Sequence, residues 1–157
     1  MEKEKEIVLD KKLKVVFKLE QDEDGYPPFA YEGLWAKSLG NDVWELDNAP
    51  FFVYEISNKD RVVVEKIDNE LRFQSVRERG GHSTLRIHFE DESKVHFIRE
   101  ELKKLGCPTE GSNNKNLVSV DVPKIVNLST IESFLKINAQ KCNFEYEHGC
   151  NQHHFDV

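Results

Sequence analysis

Residues 84–105 read Thr84-Leu85-Arg86-Ile87-His88-Phe89-Glu90-Asp91-Glu92-Ser93-Lys94-Val95-His96-Phe97-Ile98-Arg99-Glu100-Glu101-Leu102-Lys103-Lys104-Leu105, and within them the hydrophobic period changes. Leu85, Ile87 and Phe89 alternate with polar neighbours, the period of two of a strand with one buried face. From Asp91 onward the apolar positions are Val95, Ile98, Leu102 and Leu105, the stripe of an amphipathic helix. Asp91 is a good N-cap, and Gly106 followed by Pro108 provides a stop. A strand that runs directly into a helix puts this half in a mixed class.

Downstream the alternation continues. Glu110 to Lys115 reads as a polar loop, and Leu117 to Val122 as a strand with Val118, Val120 and Val122 inward. Ser129-Thr130-Ile131-Glu132 has the form of a capping box, opening a second helix with Ile131, Phe134, Leu135 and Ile137 facing the core. Phe144-Glu145-Tyr146 closes the pattern as a strand. The order β-α-β-α-β predicts a ferredoxin-like layer, with helices covering one face of a sheet.

Upstream of Arg77 the reading is β. Leu13, Val15, Phe17 and Leu19 alternate along a first strand, which the polar run from Gln21 to Gly25 and the pair Pro27-Pro28 bring to an end. Leu34 to Leu39 and Val43 to Leu46 form a hairpin across Gly40-Asn41-Asp42. Phe51 to Ile56, Arg61 to Ile67 and Leu71 to Val76 read as further strands. Five or six short strands at this spacing predict a small bent sheet or partial barrel. The expected fold is therefore α+β. Its β-rich subdomain, about residues 10–78, continues without a linker into an α+β subdomain at 79–150, followed by a tail at 151–157, in one structural unit.

Composition narrows the function classes. The chain has 157 residues, one domain's worth, and a formal net charge of −7. That balance argues against unaided binding to nucleic acid or an anionic membrane, since both need a basic surface. It would suit a basic protein partner. No stretch approaches the roughly 20 apolar residues of a membrane span. Met1-Glu2-Lys3-Glu4-Lys5-Glu6 precedes no apolar signal core. Three cysteines, Cys107, Cys142 and Cys150, form an odd set, which fits free thiols in a reducing cytoplasm.

Three segments together carry a resemblance: Phe17 to Pro28 with its acidic Asp24-Gly25-Tyr26-Pro27-Pro28, Leu46-Asp47-Asn48-Ala49-Pro50-Phe51-Phe52, and Gly81-His82-Ser83-Thr84-Leu85-Arg86. In combination they resemble an uncharacterised bacterial family known only as a domain of unknown function, over residues 13–90 closely and over the remainder loosely. Ala49 departs from the Ile associated with that family. The resemblance implies no catalytic assignment. Small bacterial proteins of this kind are often encoded beside polymorphic toxins, which implies an immunity protein whose partner is a cognate toxin.

Two sets of candidate site residues follow. Asp22, Glu23 and Asp24 precede Tyr26 and could steer a basic partner, the way acidic inhibitors meet nucleases. A calcium loop is disfavoured, because Glu32 falls one residue early for the bidentate position and Pro27-Pro28 intervenes. Gly80-Gly81-His82-Ser83-Thr84, with Arg86, could orient an anion or move a proton, the basis of an alternative reading as an enzyme or ligand-binding regulator. It lacks the strand-turn-helix context of a nucleophile elbow and the Gly-Lys-Ser ending of a phosphate loop, and a turn satisfying its own backbone competes with both. Cys142, His148, Cys150, His153 and His154 are zinc-type ligands without zinc-type spacing, so neither metal nor cofactor is expected and residues 151–157 read as a loose tail. The aromatic residues Tyr26, Phe29, Tyr31, Trp35, Trp44 and Tyr54 are dense in the β half, as core or as interface. The expectation is a cytoplasmic, non-enzymatic binding protein.

Overall fold

The computed structural model describes residues 12–153. The charged segment 1–6 and His154 lie outside the described residues. Nine strands and two helices follow in the order β1 (Lys12–Lys18), β2 (Tyr31–Gly40), β3 (Val43–Leu46), β4 (Arg61–Ile67), β5 (Glu70–Glu78), β6 (Ser83–Phe89), α1 (Val95–Lys104), β7 (Thr109–Gly111), β8 (Leu117–Val122), α2 (Leu128–Lys141) and β9 (Phe144–Cys150). The protein is a mixed α/β chain with more sheet than helix.

Strands β1 to β5 form a closed barrel, antiparallel except where β1 meets β5 in parallel. Two tight turns set its hairpins. Asn41 and Asp42 have φ of 54° and 61°, and Asp68 and Asn69 have 49° and 67°, the positive values a type I′ turn requires. Register shifts at Ser38/Gly40, Arg61/Val62 and Val63/Val64 bend the strands, and such bulges allow so small a sheet to close. Closure leaves no free edge, so the barrel is complete where the sequence pattern predicted a bent sheet or a partial one. Its interior holds Val15, Phe17, Leu34, Ala36, Leu46, Val62 and Val64, with Phe17 stacked on Phe73 at 4.7 Å.

The second sheet has the antiparallel order β7-β8-β6-β9. Each helix joins two strands that run in the same direction with one strand between them. Leu85, Ile87, Phe89, Val118, Val120 and Val122 face the helices and meet Ile98, Leu102, Leu128, Ile131 and Leu135. Asp91 accepts from the Ser93 amide and caps a short 3-10 turn, Glu92–Lys94, that leads into α1.

Several local readings change. Phe51 to Ile56 is not a strand; residues 47–60 form an irregular connector between β3 and β4. The expected polar loop at 110–115 begins inside a strand, β7, which pairs with β8 from Thr109↔Val120 to Gly111↔Val118. Asn127, not Ser129, caps α2, accepting from the Thr130 amide at 3.2 Å. Ile137, expected to face inward, is 62% exposed. No helix among the described residues is long and apolar enough to cross a membrane.

Candidate functional site

The connector at 47–60 lies on the face of the second sheet that the helices leave free. Its placement starts at Glu32, which sits on the inward parity of β2 with Leu34 and Ala36 and is 9% exposed. Its carboxylate accepts from the amides of Phe51 at 2.6 Å, Phe52 at 3.0 Å and Val53 at 2.9 Å. One buried charge thus satisfies three backbone donors that no ladder supplies, an exchange a carboxylate makes well. The signal available in the sequence was a lone carboxylate on the buried parity of a strand. Asn48 Oδ1 accepts from the Trp35 amide at 2.6 Å, and Ala49 is held from both sides, its amide donating to Glu110 and its carbonyl accepting from Ser119 Oγ at 3.2 Å.

Beyond Val53 the connector is tied to β6. Arg86 is 1% exposed; its Nη2 donates to the Val53 carbonyl and its Cζ lies 4.7 Å from the centroid of the Tyr54 ring. Arg86 Nη1 is 3.8 Å from Glu147, and Arg86 Nε has no partner among the described residues. Burial pulls the Arg86 guanidinium below its ordinary range, opposed by Glu147 and Glu32. Thr84 Oγ1 meets Ser57 Oγ at 2.7 Å and donates to the Ile56 carbonyl at 3.3 Å.

The four residues of the Gly-His-Ser-Thr-x-Arg segment do not share one pocket. Ser83 and Thr84 are fully buried. Ser83 Oγ lies 2.6 Å from His153 Nδ1 and accepts from the Gln152 amide at 2.8 Å. Gln152 also donates to Asp60 and accepts from the Gly81 amide. The described part of the segment read as a loose tail is therefore pinned, because Gln152 and His153 complete hydrogen bonds for buried groups of β6 and the connector. Only His82 reaches a cleft, of about 390 Å³, beside Lys59, Arg61, Arg79 and Lys124; its Nδ1 lies 2.7 Å from Asp121. A larger groove of about 1120 Å³, which the sequence did not signal, runs between α1 and the segment after β7, past His96, Arg99, Lys103 and Ser112. Among the described residues no three His, Cys, Asp or Glu side chains gather to hold a metal ion.

The acidic turn and Arg86, read separately in the sequence, lie on one face. Asp22 Oδ1 accepts from the Asp24 and Tyr26 amides, each at 2.9 Å, so Asp22 builds the turn while Glu23 and Asp24 stay exposed. Burial raises the Tyr26 phenol above its ordinary range; Glu147 and Asp22 add to this, and Arg86 opposes it. Tyr26 and Phe29 pack on Phe52 with ring centroids 6.2 and 5.8 Å apart. Tyr54 donates to Glu147 at 3.1 Å. Tyr26, Phe29 and Tyr54 nonetheless remain 49%, 55% and 56% exposed.

The sequence model of a domain of unknown function, DUF4265, matches residues 32–146. The chain belongs to the DUF4265 family. The span matched to DUF4265 begins at Glu32 and takes in the whole connector and β6, while the acidic turn at 22–24 precedes it. The fold is similar to a solved structure described as a novel crystal structure of a hypothetical protein from Neisseria gonorrhoeae. The TM-score is 0.71 at 20% identity, over 90% of this chain and 94% of that one. No curated protein matches this DUF4265 chain.

Proposed function

We propose that this chain is a protein-binding module whose docking face is the aromatic cluster of Tyr26, Phe29, Phe52 and Tyr54, rimmed by Glu23, Asp24 and Glu147. We read the β-α-β-β-α-β half as a ferredoxin-like layer that serves as the platform for the connector. The observation that carries the proposal is the exposure of three of these rings: Tyr54 lies on the connector that Glu32 and Arg86 tether, and Tyr26 and Phe29 pack on Phe52 of that connector. Exposed aromatics at the centre with charge at the rim match the usual anatomy of a protein interface. The rim carboxylates favour a basic partner, and an immunity role toward a basic toxin domain is the specific form this function takes. Tethering by Glu32 and Arg86 supports the proposal further, because a pre-ordered loop loses little entropy on binding.

The test takes the product of the neighbouring gene as the partner and measures binding kinetics at two salt concentrations. The Phe52→Ala variant should weaken binding at least about tenfold through faster dissociation. The Glu23→Lys, Asp24→Lys variant, which spares the turn-forming Asp22, should slow association at low salt and much less at high salt. Association unchanged by the lysines, together with unchanged dissociation in Phe52→Ala, overturns the docking face.

A further inference from the structure

The outer wall of the barrel carries a second aromatic face of opposite charge. Along β2, Tyr31, Gly33, Trp35 and Lys37 point outward while Glu32, Leu34 and Ala36 are buried. The antiparallel register with β1 sets Lys18 opposite Tyr31, Val16 opposite Gly33, Lys14 opposite Trp35 and Lys12 opposite Lys37. Each exposed ring therefore has a lysine as its direct cross-strand neighbour. Tyr31 is 57% and Trp35 46% exposed, and Lys14 Nζ sits 5.0 Å from the Trp35 ring centroid.

Four residues of strand separate the two rings by roughly 13 Å, and the one residue between them on this side is a glycine. Glycine inside a strand weakens it and often marks a place where another group approaches closely. Here a Cβ at Gly33 would come within 3.1 Å of Lys14 Cδ, so the glycine leaves room for the Lys14 side chain that reaches Trp35. Lys12 is held by Asp47. Lys14, Lys18 and Lys37 enter no ion pair among the described residues.

The net charge of −7 argued against nucleic acid, but the quantity that matters is local. At about 0.1 M salt, exposed charges more than about 10 Å apart are largely screened from one another. We propose that this wall binds single-stranded nucleic acid, with bases stacking on Tyr31 and Trp35 and phosphates contacting Lys14, Lys18 and Lys37. Stacking on rings beside a basic track is how proteins hold single strands without reading sequence. A duplex keeps its base faces covered and gains nothing from the rings. The site shares no residue with the proposed protein-binding face.

The experiment is fluorescence anisotropy of labelled oligo-dT and oligo-U, about 20 nucleotides long to exceed one barrel-sized site, titrated with the full chain. Both wild type and variants are checked for fold by circular dichroism. The wild type should bind either oligomer at low salt with quenching of Trp35 fluorescence. Trp35→Ala and Tyr31→Ala should each weaken binding at least about fivefold. Replacing Lys14, Lys18 and Lys37 together with Ala should reduce the salt slope by about 2, from roughly 0.7 per phosphate contact. Phe52→Ala should leave oligonucleotide binding unchanged, which separates this result from the protein-binding proposal. No binding at low salt overturns the proposal. So does a loss caused by the lysine variant with none from either ring variant, or equal competition by duplex DNA.

Discussion

The Arg86 guanidinium lies between the Tyr54 ring, 4.7 Å from its centroid, and the backbone of Gly149, where a Cβ would stand 2.9 Å from Arg86 Cζ. Strand β6, strand β9 and the connector are joined at this one side chain, and the Glu55 amide adds a bond to the Gly149 carbonyl at 2.8 Å.

This sandwich predicts a non-additive pair of substitutions. Gly149→Ala should destabilise the protein by about 1–3 kcal/mol, the usual range for overpacking a close-packed site. Arg86→Ala should cost about 2–3 kcal/mol, because a charge-assisted hydrogen bond to Val53 and the packing of a fully buried stem are lost. The double variant should be less destabilised than the sum, since removing the guanidinium makes room for the methyl group. Urea unfolding of the four proteins checks this. Additive losses would remove Arg86 as the cause of the glycine requirement, and two separated transitions would show that the halves do not unfold as one unit.

Glu110 carries a pH dependence of known sign. Its carboxyl is raised above the ordinary value of 4.5, chiefly by burial, against a lowering by the Ala49 amide. A folded-state value above the unfolded one means that the folded protein holds the proton more tightly. The contribution to stability is therefore complete below the unfolded value and is lost as pH rises through the folded value. Glu110→Gln keeps an oxygen for the Ala49 amide and removes the titration. Unfolding free energy measured from about pH 4 to pH 7 should fall less steeply with rising pH in Glu110→Gln than in the wild type. Parallel curves would count against this assignment.

All three cysteines are buried and free, and burial pushes the Cys107 thiol up to about 12. A reagent must reach a sulfur to react with it, so native protein at about pH 8, with all three sulfurs buried, should react negligibly with a disulfide reagent. Unfolding in guanidinium should release three reactive thiols. Rapid modification of the native protein would show that one of these sites opens readily.

What could be read from the sequence depended on where each backbone group finds its partner. Strands β1, β6 and β8 and helix α1 were legible because a period of two or of 3.6 is written in consecutive residues. The connector was not. Phe51-Phe52-Val53-Tyr54 has the composition of a strand, yet the amides of Phe51, Phe52 and Val53 go to the Glu32 side chain and the Val53 carbonyl goes to Arg86. No local pattern distinguishes a backbone satisfied by a ladder from one satisfied by distant charged side chains. Strand β8 shows the same blind spot, since all six of its residues are buried although only alternate ones were expected to be. The connector covers its second face.

The sequence by itself determined the α+β class, the β2–β3 hairpin turn of the barrel, the α1 stripe and the membership of Asp22 and Arg86 in separately notable segments. Tertiary structure alone decided that the tail residues Gln152 and His153 are fixed, that His82 and Arg86 serve different places, and that Arg86 belongs with Tyr26. The physical reason is range. Periodicity and turn chemistry act over a few residues, whereas a buried polar group takes whichever partner the folded chain brings to it, and for Ser83 and His153 that partner is 70 residues away.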